Sequence, residues 1–211
     1  AENIAHANAY ALEWKDSNPL ITPSIFCHAP YTCSDGTLKA AKAVADDRGL
    51  LFQVHVAETR FERDQSVKEK GLTPVAHLDR LGILDRRTLM AHCVWVEEAD
   101  MDIIASRNAV VSHCPESNMK LASGIAPITG MLEAGITVSL GTDGCASNNN
   151  LDLLGEMNTA AKLHKVATGD PTALDATRVL KMATVDGARA IGLADRIGSL
   201  EIGKQADMVV L

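Results

Sequence analysis

The chain has 211 residues, 46% of them hydrophobic and 22% charged, which is ordinary for a soluble globular protein. Twenty Lys and Arg stand against 27 Asp and Glu, and the net charge of −7 argues against nucleic acid or an anionic membrane as the partner. With no Lys/Arg block, no bilayer-length apolar run and no signal-peptide pattern, the expectation is a soluble cytoplasmic protein. A helix is expected over 2–15. Five apolar or β-branched runs follow as strands: "ITPSIFC" (21–27), "LLFQVHV" (50–56), "TLMAHCVWV" (88–96), "AVVSHCP" (109–115) and "ITVSLGTD" (136–143). Helical stretches separate them, with Ser34 and Thr73 as N-caps and Gly49, Gly71 and Gly135 as helix stops. Further helices are expected over 151–168, 172–182 and 184–191. The tail from 196 is punctuated by glycine and then turns apolar, like the start of a new β element.

Strands that alternate with helices imply a parallel α/β sheet buried on both faces. His28, His55, His92, His113 and Asp143 each fall at or near the C-terminal end of one strand, where parallel α/β folds place their ligand sites. The cysteines, Cys27, Cys33, Cys93, Cys114 and Cys145, form no CxxC pair. Their spacing speaks against a Cys-type zinc site and for small buried residues in a reducing compartment.

Each candidate has a plain structural reading beside the chemical one. Residues three apart on a strand point to opposite faces, so His55 and Glu58 share a site only if the chain turns after His55. His55 is then a metal or substrate ligand and Glu58 a proton shuttle; otherwise they are a core histidine beside a helix-starting glutamate. Asp143, between glycines in "LGTDG", is a metal or water partner or an ordinary turn aspartate. His92, mid-run in its strand, orients a water, completes a metal shell or serves as a buried structural imidazole. His28 precedes a turn and reaches a substrate group. "SHCPESNMKLASG" reads as a loop that shapes the substrate site, with Ser117 and Asn118 structural. His6, His77 and His164 fall in helices as surface or packing residues.

Taken together, "HAPYTCS", "HVAET", "MAHCVWV", "SHCPESNMKLASGIAPI", "LGTDGCASNNNLDL", "MATVDGARAIGL" and "GSLEIGKQADMVVL" resemble the metal-dependent amidohydrolase superfamily. The likeness is to its 5-methylthioadenosine/S-adenosylhomocysteine deaminase branch, beside the triazine hydrolases. The resemblance implies part of a (β/α)₈ barrel, strands four to eight, over residues 1–194, with 195–211 starting the return to a small β-sandwich. It implies a single divalent ion, zinc or else iron, held by His55 and Asp143. Glu58 would protonate the ring, His92 would hydrogen-bond the water, Asp143 would take the water's proton, and His28 would bind the substrate near its ribose, with Glu58 and Asp143 also touching it. The partner is then a purine nucleoside-type small molecule, and a homo-oligomer is compatible.

The sequence departs from this family at one place. The family's strand-one His-x-His pair has no counterpart, and five strand–helix units stand where a closed barrel has eight. The expectation is a fragment of a longer enzyme, weakly stable and inactive alone; a cleaved or disordered N-terminal part and a self-associated half-barrel are the alternatives. The competing functions are hydrolysis of triazines or guanine-type heterocycles, and a metal-free, non-catalytic barrel domain.

Overall fold

The computed structural model describes residues 2–15 and 17–210. Five strands, β1 (Ser24–Cys27), β2 (Leu51–Val56), β3 (Thr88–His92), β4 (Val110–His113) and β5 (Val138–Leu140), form one parallel sheet in the order β1-β2-β3-β4-β5. Between them lie α1 (Glu2–Trp14), which precedes β1, then α2 (Asp35–Arg48), α3 (Arg60–Lys70), α4 (Pro74–Arg80), α5 (Glu98–Arg107), α6 (Pro115–Lys120) and α7 (Ile128–Glu133). After β5 come α8 (Cys145–Asn148), α9 (Leu153–Thr168), α10 (Ala176–Ala183) and α11 (Val185–Ala190). Consecutive strands that neighbour in sequence order, each followed by a helical crossover, are the arrangement of successive units of a (β/α)₈ barrel.

Local chemistry explains the helix limits. Ser34 and Thr73 accept backbone N–H groups of Thr37 and Ala76, and Gly49 and Gly71 end α2 and α3 in the left-handed conformation at φ 68° and 67°. β2 alternates half-buried and buried residues. Phe52, Val54 and Val56 join Cys27, Met90, Val111 and Val138 in the main core beneath the helices. Each such large apolar side chain contributes about 1.5–3 kcal/mol by leaving water.

The other sheet face is not buried as expected. Leu51, Leu89 and Val110 pack on Ala190 of α11, but Phe26 stays 55% exposed. Among the described residues the helices lie on one face, and only α11 closes part of the second.

Two further expectations need correction. β3 ends at His92, not at 96, because His92 and Cys93 turn left-handed at φ 72° and 47°. The segment expected as a loop after β4 contains α6, begun by Pro115 at its first turn, where a missing N–H costs nothing. Residues 199–210 pair with no strand among the described residues, and Met208, Val209 and Val210 are exposed. A strand needs a neighbour, and none lies beside them. Cys27, Cys93 and Cys114 are buried as expected, whereas Cys33 is partly buried and Cys145 exposed; all five are free thiols. No helix among the described residues is long and apolar enough to cross a membrane.

His113 was expected at the common mouth. It sits instead on the outer face of β4, fully buried, with its Nε2 3.1 Å from Nε2 of His164 on α9. Burial holds both imidazoles neutral: His164 is pushed down to about 4, and His113 well below its usual range with His164 and His92 adding to the effect. A depressed folded pKa gives stability that is present above the unfolded value of about 6.5 and is lost as pH falls toward the folded one. For His164 alone the unfolding free energy should therefore drop by on the order of 2–3 kcal/mol between about pH 7 and about pH 4.5, with His113 adding to it. His164→Leu should flatten this dependence in chemical denaturation; an unchanged slope in that variant refutes the assignment.

Candidate active site

The parallel register stacks the strand ends at one mouth. His55 pairs with Ala91, and Ala91 with Ser112, on the inner face of the sheet. His28 follows β1 directly, His92 ends β3, and Asp143 lies three residues past β5. His55, His92 and Asp143 each offer one donor atom, and these atoms lie within 4.8 Å of one another. The rings of His28 and His92 each stand 5.2 Å from that of His55, and Phe26 meets His55 edge-on at 5.1 Å.

Backbone reversals bring these side chains together. Ala57, just past β2, takes φ 50°, so the chain leaves the strand and Glu58 swings over the mouth that His55 enters. The geometric condition for a shared His55–Glu58 site is thereby met. The Glu58 carboxylate stands 3.8 Å from Nε2 of His92 and receives the Ser123 hydroxyl at 3.4 Å. His92 lies in register with Val56, a residue of the helix-facing side. Its left-handed φ of 72° redirects the imidazole toward the mouth. Asp143 is left-handed at φ 60°. Gly141 before it has no alternative: a Cβ there would meet Ser112 Oγ at 2.5 Å.

Supporting residues set the charge state of each group. Asn118 Oδ1 accepts from Nδ1–H of His92 at 2.9 Å, which leaves Nε2 with a free lone pair. Burial lowers the pKa of His55, with His92 and His28 adding to the effect against the opposing pull of Asp143 and Glu58, so the ring is neutral and able to donate. Burial would raise the Asp143 carboxyl. The hydrogen bonds from Ser117 Oγ and Gly144 N–H, both 2.7 Å, together with His92 and His55, hold it below its usual value instead. His28, exposed at the rim, donates through Nδ1 to Thr32 Oγ1 at 2.7 Å, and that hydroxyl in turn donates to Ala29 O.

Two imidazoles and one ionised carboxylate within a few ångströms suit a divalent zinc- or iron-type ion. His92 lies within 4.8 Å of both other donors, the place where a residue completing a metal shell would stand. Ser117 and Asn118 are structural as expected, but what they hold is Asp143 and His92. Ser123, Thr32 and Asn148 escaped notice. Asn148 Nδ2 donates to Thr142 O at 2.7 Å and so braces the turn before Asp143. No spacing rule marks such residues; only the Ser/Asn-rich composition of 112–124 and 145–150 hinted at them.

The model of the amidohydrolase family matches residues 1–211. The chain belongs to the amidohydrolase family. It is 50% identical over 198 residues to a 5-methylthioadenosine/S-adenosylhomocysteine deaminase of Syntrophobacter fumaroxidans, covering 94% of this chain and 45% of that protein. An adenosine deaminase from Xanthomonas campestris with bound zinc superposes with a TM-score of 0.93 at 44% identity, over 98% of this chain and 47% of that one. An atrazine chlorohydrolase from Arthrobacter aurescens TC1 complexed with zinc gives 0.85 at 28% identity, over 97% and 46%. The chain thus spans about half the length of the curated relatives it matches.

The Ser117 bond yields a direct test. Removing a donor to a carboxylate raises its pKa. In metal-free Ser117→Ala protein, the ¹³C titration midpoint of the Asp143 carboxyl should move upward; an unmoved midpoint shows that Ser117 does not set its charge.

Proposed function

We propose that this chain carries the acid–base half of a metal-dependent hydrolytic deaminase that releases ammonia from adenosine-type nucleosides of the 5-methylthioadenosine and S-adenosylhomocysteine class. The observation that carries the reading is the convergence of His55, His92 and Asp143 beneath Glu58. His55 and Asp143 are the ligands of a zinc ion. A bound divalent ion supplies water that is acidic enough to react near neutral pH.

The chain's own groups do the rest. Asp143, kept ionised by Ser117 and Gly144, accepts the proton of the attacking water. His92, fixed through Nδ1 by Asn118, presents Nε2 to that water. Glu58 delivers a proton to the ring nitrogen next to the carbon under attack, the proton held by Asp143 passes to the departing amine, and the proton left on the added hydroxyl returns Glu58 to its acid form, while His28 holds the sugar end. Ammonia is a poor leaving group unless protonated, so a site with two proton-carrying acids, Glu58 and Asp143, favours deamination over the loss of chloride that the atrazine relative's name describes. We place the enzyme in the cytoplasm, where its five free thiols stay reduced. Nucleic acid and membrane are not partners in this reading, and a homo-oligomer is. The barrel domain ends near 194, and 195–211 lead toward a second, β-type unit; the exposed apolar residues 208–210, without a strand neighbour, support that division.

Ammonia release by the zinc-loaded protein, with the remaining strand–helix units of the barrel present, should be seen with 5-methylthioadenosine and S-adenosylhomocysteine and be weak or absent with guanine and aminotriazines. The reverse preference would transfer the assignment to the heterocycle hydrolases. Glu58→Gln should lower kcat by about 10²–10⁴-fold with zinc content unchanged. His55→Ala and Asp143→Asn should each weaken zinc binding in equilibrium dialysis by at least about 100-fold; full retention of zinc in both variants would place the ion elsewhere or nowhere.

A further inference from the structure

Glu62 lies in the first turn of α3 and is only 1% exposed. At the third position of a helix a glutamate ordinarily reaches back to the N–H of the N-cap residue. Here the N-cap, Thr59, accepts the Glu62 N–H through its hydroxyl at 3.2 Å, but the Glu62 carboxyl passes over Thr59. Its Oε2 accepts the N–H of Glu58 at 2.8 Å, and Oε1 has no partner. The residue it grips is the one that completes the turn out of β2: Glu58, directly after Ala57 with its left-handed φ of 50°.

The carboxyl is costly where it is. Burial pushes its pKa up to about 7, against the Glu58 N–H bond and with the Glu58 charge adding to the rise. Helix α3 does not need it, since Thr59 already caps that end. What it serves is the turn. The side chain of Glu58 has little else to fix it, for the Ser123 hydroxyl stands at 3.4 Å and the His92 ring at 3.8 Å. Its place over the mouth is therefore decided by where the backbone of residues 57 and 58 is held.

We propose that Glu62 is a positioning residue: by accepting the N–H of Glu58, its buried carboxyl fixes the left-handed turn that holds the Glu58 carboxylate over the His55–His92–Asp143 cluster. The proposal rests on the deaminase reading above for its catalytic consequence. It predicts a loss confined to the proton-transfer step, because displacing a reacting group by about 1 Å costs on the order of 10²-fold in rate.

The test compares Glu62→Leu, which has no acceptor, with Glu62→Gln, whose amide oxygen still accepts. Kinetics with 5-methylthioadenosine and zinc-loaded protein, the remaining strand–helix units of the barrel present, are set beside zinc content and amide exchange. Glu62→Leu should lower kcat by at least about 30-fold, with KM within about threefold and zinc at the parental level. Glu62→Gln should recover kcat to within about fivefold of the parent. Independently of turnover, exchange at the Glu58 amide should quicken by at least about tenfold in Glu62→Leu and not in Glu62→Gln. The inference is overturned by a Glu62→Leu enzyme with parental kcat, by a kcat loss that only tracks zinc loss, by a Glu62→Gln enzyme as impaired as Glu62→Leu, or by unchanged exchange at that amide. A parent that deaminates no nucleoside defeats the deaminase reading itself. An active parent with an unaffected Glu62→Leu variant defeats only the role of Glu62.

Discussion

The site depends on backbone that runs left-handed where the strands end. Ala57, His92, Cys93 and Asp143 all have φ between 47° and 72°, and none is glycine. Each such residue costs about 1–2 kcal/mol relative to an ordinary conformation. The sheet supplies the compensation: Cys93 N–H bonds Val56 O at 3.0 Å and Trp95 N–H bonds Ala57 O at 2.9 Å, tying two of the reversals to each other. Without them the two-residue period of the strands would send Glu58 and His92 to the helix side. Strain sits where a strand must stop pointing alternately up and down and begin to aim.

Once aimed, the groups fall into complementary charge states. His55 is kept neutral by burial and by two neighbouring rings, while Asp143 is kept ionised by two short hydrogen bonds. A neutral imidazole offers a lone pair and an ionised carboxylate offers charge, so the pair is prepared for a cation before one arrives. The outer-face pair His113 and His164 shows the contrast. It too is neutral and buried, but it has no carboxylate beside it, and its role is packing between β4 and α9.

Much of this was legible in the sequence. Apolar runs broken by capping residues located all five strands and the intervening helices other than α6, because burial of the helix-facing side imposes its pattern on composition. The HxxE spacing of His55 and Glu58 stated its own condition, a turn after the strand, and Ala57 satisfies it. What the sequence hid was facing. Ser112 and His113 are adjacent, and nothing in "VVSHCP" says which of them looks inward. The same parity argument would have turned His92 outward, had its φ not reversed. The run to Val96 looked like continuous strand because the residues after His92 are apolar, yet they are buried under a loop. Burial on both sheet faces was inferred from those apolar strands, but the inner face carries Gln53, His55 and Ser112 among them and is only partly covered.

The two acids that flank the mouth are supported in the same way from opposite sides. Glu58 hangs from a turn gripped by Glu62. Asp143 follows a turn whose Thr142 carbonyl is held by Asn148, and Asn148 is held by Glu156 of α9, which also accepts the Glu116 N–H at 3.2 Å. Glu62 and Glu156 are both essentially buried, and burial raises the pKa of each. A buried carboxyl is a poor choice for stability alone, since an apolar residue would fill the space at lower cost. It is a good choice for holding N–H donors in one geometry, because each oxygen accepts more than one hydrogen bond and the direction of each bond is fixed. In the deaminase reading, the separation of the acid over the site from the acid beneath it follows from these two supporting carboxyls rather than from contact between Glu58 and Asp143 themselves.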